Sequence, residues 1–196
     1  MNYHLIPSNI LDANVTYHRP DLSTTSQVDM DDPALEVMTD FKKVTAITIS
    51  PWESIETATQ RMIQRGIRTL FVVDVHDYLV GLITASDILG ETPIQYIQSF
   101  GGQRKDITVE DIMVSRENIE VLSLRDVSHA RVGDIVETLK HAERQHALVV
   151  DDQGSNNENS VRGIFSLTQI ARQLGVDIQI HELDHTFAEI AQITRM

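Results

Sequence analysis

Residues 55–74, IETATQRMIQRGIRTLFVVD, and residues 132–151, VGDIVETLKHAERQHALVVD, are two versions of one pattern. Ile55, Ala58, Met62 and Asp74 recur as Val132, Ile135, Leu139 and Asp151, each pair 77 positions apart (132−55, 135−58, 139−62, 151−74). No gap is needed, so a helix, a turn and a strand are repeated as one unit. Two copies predict two similar modules packed on each other, whereas a solenoid requires a longer array. A pseudo-twofold pair leaves a cleft between its halves, and any ligand chemistry is expected there.

Within the first copy, Ile55, Ala58, Met62 and Ile63 fall at i, i+3, i+7 and i+8, the spacing of one helical face. Ser50-Pro51-Trp52-Glu53 reads as a capping box with proline at the first helical position, Ser54 is a competing cap, and Gly66 ends the helix. Residues 69–73 are apolar enough to predict a strand buried on both faces, followed by a turn over 75–78 and an antiparallel return over 79–84. A helix is expected from Ser86 or Asp87, and another after Pro93. The second copy predicts a strand near 119–122, a helix from Val132 to about Ala142 and strands over 147–150 and 161–166. Its hairpin is five residues longer (163−151 is 12, 81−74 is 7), and residues 154–159 have the composition of a solvated loop.

The division that follows is an extended N-terminal arm over 1–34, marked by Pro7, Pro20 and Pro33; a first repeat over 35–100; a linker over 101–108; a second repeat over 109–175; and a C-terminal helix over 176–196. The last of these carries Leu183, Phe187 and Ile190 at i, i+4 and i+7. The expected fold class is α/β (α+β): two tandem repeats, each a small three-stranded sheet with two helices, packed as a pseudo-twofold pair.

Composition narrows the function. At 196 residues and 41% hydrophobic content the chain can bury a core, and its apolar runs are too short to span a bilayer. It has no cysteine, which excludes disulfides and thiolate chemistry. A formal net charge of −13 opposes nucleic acid and anionic membranes as partners, although a few local cations can still hold a small anion. The first residues lack a basic segment followed by an apolar one, so no signal peptide is expected and the chain reads as cytoplasmic.

The return strand Gly81-Leu82-Ile83-Thr84-Ala85-Ser86-Asp87, the lead-ins Val37-Met38-Thr39 and Asp111-Ile112-Met113, and the strand ends Phe71-Val72-Val73-Asp74 and Leu148-Val149-Val150-Asp151 together resemble the cystathionine β-synthase (CBS) domain pair, or Bateman module. The resemblance covers residues 35–175. It implies a stand-alone regulatory module without catalytic activity, binding an adenosine-containing ligand (AMP, ADP, ATP or S-adenosylmethionine) and needing no cofactor. It also implies a homodimer joined through helical faces and acting on a protein target.

The family pattern implies a main site at Asp87, Thr84, Ser86, Arg68 and Thr69. An ionised Asp87 can accept from both ribose hydroxyls, because its oxygens are acceptors only. Thr84 and Ser86 would donate to ribose or phosphate oxygens at a helix start, where free N–H groups favour an anion. Arg68 would be the phosphate cation. Met113, Val114 and Ile119, from the opposite repeat's lead-in, would wall the adenine. A weaker second site would combine Thr39, Val44, His146, Ser166, Thr168 and Gln169, with a protonated His146 meeting phosphate. There Gln169 replaces aspartate, and loss of a charge-assisted pair costs about 1.5–3 kcal/mol, tenfold or more in affinity.

Two other readings compete. Asp87 and Thr84 are also good helix-capping residues, and the paired repeats with their amphipathic tail could be a ligand-free dimerisation scaffold. His181-Glu182-Leu183-Asp184-His185 matches the H-E-x-x-H zinc-protease pattern. A third ligand is missing, however: Glu189 would lie about 12 Å from His181 along one helix, and Leu183 and Phe187 give the segment a packing face. No metal site and no catalytic residue are expected.

Overall fold

Local signals explain most elements. The computed structural model describes residues 28–151 and 160–175. Helix α1 (Ile55–Arg65) is capped by Ser54, whose side chain accepts from Thr57 N, and ends at Gly66 in the left-handed conformation (φ 64°). The capping box expected at Ser50 is therefore not the helix start. The backbone of 51–53 is committed elsewhere: Val109 N donates to Glu53 O and Glu110 N to Pro51 O, at 2.8 and 3.0 Å. Ile55, Ala58 and Met62 are buried as the spacing requires. Ile63, expected on the same face, is 68% exposed, because eight residues carry it past the edge of the buried stripe.

Strands β1 (Thr39–Asp40), β2 (Thr48–Ile49), β3 (Thr69–Val73), β4 (Leu79–Thr84), β5 (Val114–Ser115), β6 (Val121–Ser123), β7 (His146–Asp151) and β8 (Ser160–Ser166) form two sheets, ordered β2-β3-β4-β5 and β6-β7-β8-β1. Both have a parallel pair followed by antiparallel ones, and both have a register shift at equivalent residues, Val72/Val73 and Val149/Val150. β3 is buried on one face only, through Leu70 and Val72. The remaining helices are α2 (Ala85–Leu89), α3 (Thr92–Phe100), α4 (Val109–Ile112), α5 (Leu124–Val127), α6 (Val132–His141) and α7 (Leu167–Gln173).

Each sheet has four strands rather than the expected three, because the repeats exchange their lead-ins. β5, which leads into the second repeat, pairs with β4 of the first (Leu82↔Val114). β1, which leads into the first, pairs with β8 of the second (Thr39↔Ile164). The cores follow the same exchange. Val28, Ala34, Val37 and Met38 pack with Ile135, Leu139, Phe165 and Ile170, whereas Ile107, Val109 and Ile112 pack with Ile55, Leu70 and Ile83. The described end of the N-terminal arm thus lies on the second unit, with Val132 N donating to Asp32 O and Gly133 N to Met30 O, both at 2.9 Å.

The exchange requires a glycine in each return strand. A Cβ on Gly81 would stand 2.5 Å from Met113 Sδ and 2.9 Å from Val114 O; one on Gly163 would stand 2.6 Å from Met38 Sδ and 2.8 Å from Thr39 O. Arg162 and Asp40, both largely buried, add an ion pair at 2.8 Å between β8 and β1. The rings of Phe41 and Phe71 meet edge-on at 5.1 Å between the two units. The expected C-terminal helix and the His181–His185 pattern lie outside the described residues.

Candidate functional site

At the start of α2, Thr84 caps the helix and Asp87 returns the bond. Thr84 N and Thr84 Oγ1 both donate to Asp87 Oδ2, at 2.8 and 2.7 Å, and Asp87 N donates to Thr84 Oγ1 at 3.3 Å. Among the described residues, Asp87 Oδ1 accepts no hydrogen bond. The expected role of Thr84 as donor to a ligand does not hold here, since its hydroxyl proton is committed to Asp87. The expected anion seat at the helix start is also largely closed: Ala85 N donates to Arg68 O at 2.8 Å and Asp87 N is held by Thr84, so two of the first three N–H groups are occupied.

Asp87 lies in a cleft of about 330 Å³ between the two units. Leu82, Thr84, Ser86 and Asp87 supply one side, Val114, Asn118, Ile119 and Glu120 a second, and residues 143–146 with Leu148 a third. Of the residues predicted for the main site, Thr84, Ser86, Asp87, Val114 and Ile119 are brought together. Met113 is not a lining residue; it packs on the core of the first unit, beneath Gly81. Arg68 and Thr69 stand beside the cleft, not in its lining.

His146 lies here and not in the second region, because β7 turns its side chain toward the first unit. Its Nε2 is 3.3 Å from Thr69 Oγ1, and these are equivalent positions of the two repeats, 77 residues apart. The pseudo-twofold axis therefore passes between them. Burial, and then the charge of Arg68, lower the His146 pKa to about 4, so the ring is neutral at physiological pH. A protonated His146 meeting phosphate is not what this environment favours.

The second region brings two of its expected residues together. Thr39 Oγ1 donates to Gln169 Oε1 at 3.1 Å, so two of its polar side chains satisfy each other. Ser166 makes no capping bond, Val44 is exposed, and Thr168 is partly buried on α7. Residues the sequence reading missed include Glu120, Glu143, Arg144 and Gln145. The 77-residue offset pointed toward the last two, since the equivalents of Arg144 and Gln145 are Ile67 and Arg68, beside the predicted Thr69.

The cleft's charge is dominated by carboxylates. Asp87, Glu120 and Glu143 face one lining cation, Arg144, whose Nη1 is 3.1 Å from Glu120 Oε2. Glu143 occupies the position of Gly66 and keeps its left-handed backbone, with φ 52° against 64°. Among the described residues no group of three or more His, Asp or Glu is placed to hold a metal, and no helix is long and apolar enough to cross a membrane.

Residues 34–92 match the family model of the CBS domain. That stretch, most of the first repeat, is similar to a CBS domain. The fold of this chain is similar to that of an uncharacterized conserved protein from Pyrococcus horikoshii, at 22% identity and a TM-score of 0.55, over 79% of this chain and 100% of that one. It is also similar to a CBS-domain containing protein from Agrobacterium tumefaciens (16% identity, TM-score 0.52, 74% and 94% covered). A third is a conserved CBS domain protein of unknown function from Thermoplasma acidophilum (19% identity, TM-score 0.50, 81% and 78% covered). No curated protein is significantly similar in sequence. These likenesses support the fold of both repeats, including the second, which the family match does not reach.

Proposed function

We propose that this chain is a regulatory CBS-domain module that binds an adenosine-containing ligand in the cleft at Asp87, with no catalytic step of its own. The observation that carries the reading is the arrangement of that carboxylate. Oδ2 is fixed by Thr84, Oδ1 is left to accept from a sugar diol, and the cleft beside it is walled by both units. A ligand spanning two units can shift their relative arrangement only by binding one arrangement more tightly than another, and a shared wall provides that difference. The second region, with Gln169 already engaged by Thr39, is the weaker or vacant site.

The same proposal includes a cytoplasmic homodimer acting on a protein target, with neither nucleic acid nor membrane as partner. Leu89 on α2 and Phe100 on α3, 73% and 77% exposed, support a helical face that a second copy would cover. Titration calorimetry against AMP, ADP, ATP and S-adenosylmethionine tests the ligand, and light scattering tests the assembly. Binding of at least one compound, weakened tenfold or more by Asp87→Ala, is expected. A chain that binds none of the four overturns the sensor reading, and a dimer persisting in that case supports the scaffold instead.

A further inference from the structure

We infer that the Asp87 cleft selects an adenosine derivative whose 5′ substituent is neutral or positively charged, and discriminates against di- and triphosphates. The inference rests on the reading of this cleft as the adenosine site. Three features of the site support it. First, the charges lining the cleft sum to about −2 (Asp87, Glu120 and Glu143 against Arg144), so each added phosphate charge meets net repulsion. Arg144 is already paired with Glu120 at 3.1 Å, so a phosphate has to share it.

Second, two of the three N–H groups at the helix start and the Thr84 hydroxyl are occupied. The N–H groups of Ala85 and Asp87 bond to Arg68 O and Thr84 Oγ1, and the Thr84 hydroxyl donates to Asp87. His146 is a neutral ring beside Thr69. Arg68 stands at the edge of the cleft and does not line it. Third, a volume of about 330 Å³ is at the small end of the range for ligand pockets, roughly 300–1,000 Å³.

Glu143 sharpens the case for specificity. The first repeat puts glycine at the equivalent left-handed position, where a side chain is costly, yet the second repeat keeps a carboxylate there, on the cleft wall. Glu120 and Glu143 are thus the specificity-determining pair, one by pairing with the cation and one by adding charge.

Calorimetry with adenosine, S-adenosylmethionine, AMP and ATP at low and high salt tests this on the full chain. Adenosine and S-adenosylmethionine are expected to bind tighter than AMP, and ATP weakest, by about tenfold or more relative to adenosine at low salt, with the gap narrowing as salt rises. The double variant Glu120→Gln/Glu143→Gln, at two solvent-exposed positions, is expected to bring ATP within about threefold of adenosine. ATP binding as tightly as adenosine to the wild type, or an ATP gap unmoved by the double variant, overturns the specificity inference and leaves the adenosine reading standing. Failure of all four compounds to bind overturns the adenosine reading itself.

Discussion

Asp87 serves two roles that a paired substitution can separate. Replacing it by alanine removes the acceptor for Thr84 N and Thr84 Oγ1, two bonds of 2.8 and 2.7 Å on a partly buried helix start. Losing such a cap costs about 1–2 kcal/mol of stability, or about 2–8 °C in Tm for a chain of this size. If Oδ1 also accepts from a ligand, affinity falls by a further 1.5–3 kcal/mol, about 10- to 150-fold. Asp111 supplies the control. It makes the same bonds with Thr108, both at 2.8 Å, and one more from Tyr96 Oη at 2.7 Å, but it does not line the cleft. Asp111→Ala is therefore expected to lower stability at least as much as Asp87→Ala while changing affinity by less than about threefold. Asp87→Asn keeps an acceptor for Thr84 and loses only the charge, so it should recover stability but not binding. Denaturant unfolding and calorimetry on the three variants give both quantities. The reasoning is refuted if the two alanine variants lose affinity in step with their stability, or if Asp87→Ala binds as the wild type does.

Further outcomes follow from other parts of the fold. His146 has a folded pKa near 4 and an unfolded one near 6.5, so the unfolded chain takes up its proton first and stability falls as pH drops below 6.5. Chemical denaturation should show about 2 kcal/mol of this loss between pH 6.5 and 5, above the range of most carboxylates, and His146→Gln should abolish it. Gly81→Ala and Gly163→Ala are each expected to cost about 1–3 kcal/mol, because the backbone oxygens of Val114 and Thr39 block the added carbon. Only Gly81→Ala should also weaken ligand binding, since Val114 lines the cleft; calorimetry distinguishes the two. Glu143→Gly should raise stability by about 0.5–1 kcal/mol by relieving a left-handed backbone, a gain that thermal unfolding would detect.

The 77-residue offset made the helices and strands of both repeats legible, because those elements follow from local periodicity and from signals such as Ser54 and Gly66. Which sheet a two-residue strand joins is a different matter. Nothing near Thr39 indicates that its partner is Ile164, and nothing near Val114 points to Leu82. The clue that existed was indirect: a glycine inside an apolar strand, at 81 and again at 163, marks a close approach by another segment. The candidate site was partly legible for the same reason. Thr84, Ser86 and Asp87 sit in one short motif, and the lead-in residues Val114 and Ile119 came from the family resemblance. Glu120 and Glu143 reach the cleft only through tertiary packing. His146 was assigned to the second region, whereas as the 77-residue equivalent of Thr69 it meets that residue at the axis and lines the Asp87 cleft.

The exchanged strands also impose an order of events on the growing chain. Thr39 emerges early, yet its partner Ile164 is made 125 residues later (164−39). The first sheet waits only for Ser115. A nascent polypeptide can therefore finish its first half while the apolar side chains of Val28, Val37 and Met38 are still without a seat. That interval is the stage at which a chaperone, or a neighbouring copy donating its own β8, would have the most to gain.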